Sequence, residues 1–261
     1  MRTILSDNGI ELREVDPLLD WFGPGVSPEE TLIFEIAAEL GASSINTPTA
    51  FAPAIGLEGV TNALANLGKR AARHGLQIDL EYLPWTIVPD LKSALQVVGD
   101  TGMENIGVTL DFWHFFRSGD SVDTLLNLSP PEAALITNLQ INDAPSNPQP
   151  LGLRNKLALM LVMLNNLRDG IRISGTKQFF ATVSGAKATR KDATALMNEA
   201  TSNRLLPGDG DMPLKDWLAA LDGAGCKPRA GLEIFSLDLA RLPAEEVAAK
   251  SMAAYGRITS G

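Results

Sequence analysis

The stretch 107-GVTLDFWHFF-116 places an aspartate and a histidine inside an apolar run of a 261-residue chain. Val108, Leu110 and Phe112 alternate as the residues of a buried strand do, so 105–116 reads as one strand. A carboxylate in such surroundings is costly unless something pairs it. What pairs Asp111 is therefore the question on which fold and function both turn.

Outward from this stretch, strand-like and helix-like segments alternate. Strands are expected at 9–18, 42–51, 76–85, 105–116, 133–144 and 229–236, and helices at 27–41, 57–75, 90–102, 121–128, 213–225 and 243–258. The first helix is well marked: Ser27 stands at its start, Pro28 follows, Glu29 and Glu30 fill the first turn and Gly41 ends it. Such alternation implies a parallel sheet with helical crossovers, either a barrel or an open doubly wound sheet. No GxGxxG or GxxxxGK[ST] motif follows a strand, so the nucleotide-binding forms of the open sheet lack support. In (β/α)8 barrels the active site is built at the C-terminal strand ends. Here Glu81, Asp111, Gln140 and Glu233 each stand near such an end, between apolar neighbours.

The rhythm breaks between 143 and 204. The turn 145-PSNPQP-150 is followed by an apolar stretch, 153–170, read as a helix, and by 171–185, read as a hairpin. The expectation is a single TIM-barrel-like domain over 1–261, with 146–192 a helical and hairpin insertion between the last two strands. The segment 157-LALMLVMLNNL-167 is too short to span a bilayer, and MRTILSDNGIELREVD has no long apolar core. A net charge of -9 and a pI of 4.8 disfavour binding to nucleic acid, which needs Lys and Arg against phosphates. Lone Cys226 excludes an intramolecular disulfide and reads as a small packed hydrophobe. The expected protein is cytoplasmic and soluble, with no membrane or nucleic-acid partner and with homo-oligomers left open.

Two Glu, one Asp and one Gln offer oxygen ligands that suit a hard divalent ion, Mn²⁺ or Mg²⁺, better than a structural zinc. A metal is thus the expected partner of Asp111, and His114 is three residues further on. For each carboxylate alone, a surface or salt-bridged role is the plainer alternative. Arg204, before 205-LLPGDGD-211, is either a substrate-binding cation or a solvated residue on a glycine turn. Arg117, after the site strand, reads as a solvated loop residue, with a reach to substrate as the alternative. Trp85 and Trp113 wall a pocket or simply fill core.

The set 80-LEYLPW-85, 110-LDFWHFFRSGD-120, 139-LQINDAP-145, 204-RLLPGDGD-211 and 232-LEIFS-236 resembles the xylose isomerase-like TIM-barrel superfamily, and within it the sugar phosphate isomerases/epimerases. The resemblance covers about residues 9–145 and 193–261. It implies one divalent ion, Mn²⁺ or Mg²⁺ with Co²⁺ also acceptable, held by Glu81, Asp111, Gln140 and Glu233. It implies Glu81 and Glu233 as the proton-transferring pair, and His114 and Arg204, with Trp85 and Trp113, around the substrate. If Glu81 lies on the fifth barrel strand, 9–16 is the third, and the first two strands have no counterpart. The expected activity is a metal-dependent isomerase or epimerase of a small sugar. Gln in the third ligand place is similar to hydroxypyruvate isomerases and to 3-dehydroshikimate dehydratases alike, and the alternatives are a lyase of the keto-cyclitol or 3-dehydroshikimate type and a non-catalytic barrel used as a binding module. Abasic-site nucleases of the superfamily need several His ligands, and this chain has two His.

Overall fold

The structure is a computed structural model, which describes residues 1–50, 55–147 and 190–260. Its described residues hold one six-stranded sheet in sequential order: β1 (Glu14–Val15), β2 (Ser44–Pro48), β3 (Gln77–Glu81), β4 (Ile106–Asp111), β5 (Ile136–Ile141) and β6 (Arg229–Leu232). Every neighbouring pair is parallel. Parallel pairing demands a crossover at each step. Helices α2 (Pro28–Leu40), α3 (Gly56–Ala72) and α4 (Leu91–Thr101) supply the first three, after a short α1 (Arg2–Asp7). Between β4 and β5 run α5 (Phe112–Ser118), α6 (Val122–Leu126) and α7 (Pro130–Leu135). Helices α8 (Arg190–Ser202) and α9 (Leu214–Gly223) precede β6, and α10 (Ala244–Thr259) follows it.

Strand side chains alternate between two faces. One face carries Ile45, Ile78, Leu80, Val108, Leu110, Leu139 and Ile141, which join helix residues such as Val60, Leu64, Leu67, Leu91 and Leu95 in a single core cluster. The other face is polar, and its hydrogen bonds show how strongly the sheet curls. Thr109 on β4 donates to Asn46 Oδ1 on β2 at 2.8 Å. Asn138 on β5 donates to Glu14 Oε2 on β1 at 2.9 Å. Arg229 on β6 reaches Asp79 on β3 at 3.0 Å and Ser43, just before β2, at 3.2 Å. Strands that are not neighbours in the sheet thus meet through side chains across a concave interior. The result is a TIM-barrel-like half-barrel, and its C-terminal strand ends converge on one mouth.

Several expectations need correction. The strand expected over 105–116 ends at Asp111, because that carboxylate turns round and caps the next helix. Its Oδ1 accepts from the backbone N–H of Trp113 at 2.7 Å and of His114 at 3.1 Å. The strand expected over 9–18 shrinks to two residues, since Pro17 lacks the N–H that would continue the ladder. The start of the strand expected over 133–144 is instead helix α7. Ser129 and Glu132 close its capping box, with Pro in the first turn. Helix α8, with no counterpart in the expected elements, begins inside the span expected to be an insertion. Most of that span, including the helix at 153–170 and the hairpin at 171–185, lies outside the described residues. Cys226 is buried and free as expected. No described helix is long and apolar enough to cross a membrane.

Candidate functional site

Glu81 and Asp111 are the last residues of β3 and β4, Gln140 is the last but one of β5, and Glu233 follows β6 directly. Glu233 keeps the ladder's direction through its backbone N–H, bonded to Ile141 O at 3.1 Å. Parallel strands in register bring these four side chains to the same end of the sheet. The cap that ends β4 then sets His114 one turn into α5, with Nε2 3.2 Å from Glu81 Oε1. Glu81, Asp111 and His114 each offer a ligand atom within 4.8 Å of the others, and all three are buried.

Asp111 is fully buried. Besides the two backbone N–H groups, it accepts from Asn142 Nδ2, 3.2 Å from each oxygen, and from Arg204 Nη1 at 2.5 Å. The same Nη1 lies 2.7 Å from Glu233 Oε2. Gln140 Nε2 donates to Glu233 Oε1 at 3.0 Å. Arg204 is not a solvated turn residue: it is 3 % exposed, with Nε on Ala200 O at 2.6 Å. The loop after it is fixed in turn. Asp143 accepts four backbone N–H bonds, from Gly208, Gly210, Met212 and Ala144 at 2.8–3.1 Å, and so ties 205-LLPGDGD-211 to β5. Gly210 is required there, because a Cβ would stand 2.3 Å from Asp143 Oδ1.

Trp85 lines the cavity, whereas Trp113 is wholly buried behind His114, its ring 5.2 Å from the imidazole. Arg117 is also not solvated, because it pairs with buried Glu199 at 2.5 Å and donates to Pro145 O at 2.7 Å. That pair fastens α8 beside the mouth.

The site is short of positive charge. Burial works to raise Asp111, but Arg204 and His114 outweigh it and hold the group at about 2. Burial also drives Glu233 up to about 10, with Arg204 opposing and Glu81 and Asp111 reinforcing the rise. One guanidinium cannot compensate a whole cluster of carboxylates, so one of them is held neutral. Gln140 Oε1 and His114 Nδ1 are buried with no hydrogen-bond partner among the described residues. Clustered carboxylates, a spare amide oxygen and an uncompensated charge fit a divalent cation.

Reading the sequence alone missed three contributors. Asn142 stands two residues past Gln140, on the same side of β5. Asn46 donates to Glu81 Oε2 at 2.8 Å and to Asp16 Oδ1 at 3.0 Å. Asp16 follows β1 at its C-terminal end and lines the cavity of about 260 Å³ shared with Glu81, His114, Arg204 and Glu233. Its position just past a strand is the signal that singled out the other four.

A family model described as "Xylose isomerase-like TIM barrel" matches residues 1–257, and the chain belongs to that family. No protein of curated function matches the sequence. Among solved structures, the chain is similar to the IOLI protein with a bound zinc atom. There the TM-score is 0.68 at 18% identity, over 99% of this chain and 81% of that one. It is similar to D-psicose 3-epimerase from Clostridium cellulolyticum H10, solved with D-tagatose, with TM-score 0.62 and 13% identity over 99% and 81%. It is also similar to the probable 3-DHS dehydratase AsbF from Bacillus anthracis, with TM-score 0.56 and 17% identity over 100% and 81%. At these identities the likeness establishes the fold.

Proposed function

We propose that the chain is a divalent-metal-dependent isomerase or epimerase that moves a proton next to the carbonyl of a small polyhydroxylated substrate. The observation that carries this reading is the convergence of Glu81, Asp111, His114, Gln140 and Glu233 on one charge-deficient mouth. Glu81, Asp111, Gln140 and Glu233 would hold the ion, Mn²⁺ or Mg²⁺ with Co²⁺ as a substitute, and His114 Nε2 braces Glu81. When bound, such an ion supplies Lewis-acid stabilisation of the negative charge that develops on a carbonyl oxygen. The chain's own groups move the proton. One of Glu81 and Glu233 takes it from the carbon beside the carbonyl, and the other returns a proton. Arg204, locked by Asp111 and Ala200, orients the Glu233 carboxyl. Trp85 and Phe235 line the cavity and offer apolar surface to the substrate.

The test couples elemental analysis to turnover. One equivalent of Mn, Mg or Co should accompany the protein. Exchange of a substrate C–H with solvent deuterium should vanish in Glu81→Gln and in Glu233→Gln. Full activity in either variant overturns the assignment. A lyase reading shares the proton abstraction and draws on the probable dehydratase among the structural neighbours. Mass spectrometry separates the two, since dehydration removes one water from the product.

A further inference from the structure

We propose that Asp16 is a substrate-binding residue whose carboxylate accepts hydrogen bonds from the hydroxyls of an uncharged polyhydroxylated substrate and disfavours its phosphorylated counterpart. The inference rests on the sugar-site reading above and adds to it a residue and a choice of substrate.

Four observations carry it. Asp16 lines the same cavity as Glu81 and Glu233. Asp16 is an exposed residue at the mouth whose carboxyl is partly buried beside Asn46 and Glu233, while Glu81 below is buried. It is fixed and not merely present: Asn46, fully buried, bridges Asp16 and Glu81 with one amide nitrogen, and Thr109 pins the other end of that amide. Finally, no Lys or Arg among the described residues forms an ion pair with Asp16, and Arg204, the one such cation lining the cavity, is committed to Asp111 and Glu233.

A carboxylate held in this way is a strong acceptor for a hydroxyl, since charge assistance roughly doubles the strength of the bond. It is a poor neighbour for a phosphate dianion, whose charge its own repels. A neutral ketose or keto-inositol presents hydroxyls to these groups and pairs its C–H faces with Leu19, Leu83 and Phe235.

The experiment measures binding, not turnover. Manganese-loaded wild type, Asp16→Asn and Asp16→Lys are titrated calorimetrically with D-tagatose, D-fructose and a keto-inositol, and with the 6-phosphates of the two ketoses. Bound manganese and the ligand-free melting temperature are recorded for each. The wild type should retain at least one neutral compound and bind the phosphates at least about tenfold more weakly. Asp16→Asn should weaken the neutral compound by about tenfold or more, the factor set by losing one charged acceptor. Asp16→Lys should narrow or reverse the discrimination against phosphate, which a merely structural role would not do. Equal binding in wild type and Asp16→Asn overturns the inference, as does preference of the wild type for phosphates. Retention of no neutral compound by metal-loaded wild type also overturns it. Sugar binding that depends on Asp16 in a protein that holds no metal would instead overturn the metal-dependent reading and leave Asp16's role standing.

Discussion

Replacing Arg204 with methionine tests the charge balance of the mouth directly. Arg204 is the cation between two buried carboxyls, and removing one partner of a buried ion pair usually costs about 3–5 kcal/mol. Here the lower end applies. Asp111 keeps two backbone N–H donors and the Asn142 amide, and Glu233, pushed up to about 10, is already neutral at pH 7. Loss of the Nε bond to Ala200 O adds about 1 kcal/mol. The expected destabilisation in EDTA is thus about 4 kcal/mol, a fall in Tm of roughly 8–16 °C for a chain of this size. Urea unfolding at pH 7 measures it, with Tm as a second readout. Manganese should then stabilise Arg204→Met more than it stabilises the wild type, because a divalent cation compensates the charges the guanidinium leaves. A loss under about 1 kcal/mol, or equal metal-induced shifts in the two proteins, would refute this account of the site.

The same geometry yields three further predictions. Gly210→Ala drives a Cβ into Asp143 Oδ1 and Ala144 O. It should cost about 1–3 kcal/mol as overpacking and open the 205–211 loop to limited proteolysis; unchanged urea midpoint and digestion would count against the clamp. Asp143→Ala removes an acceptor for four backbone N–H groups. At least about 3 kcal/mol should be lost, as read from the urea midpoint. Glu14 is pushed up to about 8, chiefly by burial and then by Asp79 and Asp16. Its folded pKa exceeds its unfolded one, so the unfolded chain ionises first and stability falls as pH rises from the ordinary carboxyl range through about 8. Glu14→Gln keeps an acceptor for Asn138 and removes that titration. Relative to wild type it should gain stability at pH 8.5 and not at pH 4, as read from urea midpoints at the two values.

Periodicity and caps revealed the six strands and most crossovers because those signals are local. Ser27 with Pro28, and Gly41 at φ 79°, mark α2 as the sequence implies. What the sequence hid were interactions between distant positions. Phe112 continues the apolar run of β4 without a break, and only the capping of Trp113 and His114 by Asp111 turns the chain there into a helix. Arg117 looks like any loop arginine until α8 brings Glu199 to it across 82 positions. Ser129 with Glu132, by contrast, was a readable capping box, outweighed by the apolar residues that follow.

The polar concave face explains why Asp16, Asn46 and Asn138 escaped notice and yet matter. A closed (β/α)8 barrel fills its interior with layers of branched apolar side chains. This sheet instead fills its interior with Glu14, Asn46, Asp79, Thr109 and Asn138. Four of them form a continuous belt: Asn138 donates to Glu14 and to Thr109, Thr109 to Asn46, and Asn46 to both Asp16 and Glu81. Each bond contributes only about 1 kcal/mol net, but the belt joins β1 to β5 through the interior while the edge strand β1 pairs over just two residues. It also ends on Asp16 and Glu81, two of the three carboxylates that line the cavity. The residues that hold the curl of the sheet are therefore the same residues that fix the mouth. A change at Asn46 or Thr109, neither of them a candidate ligand, should reduce stability and manganese affinity together.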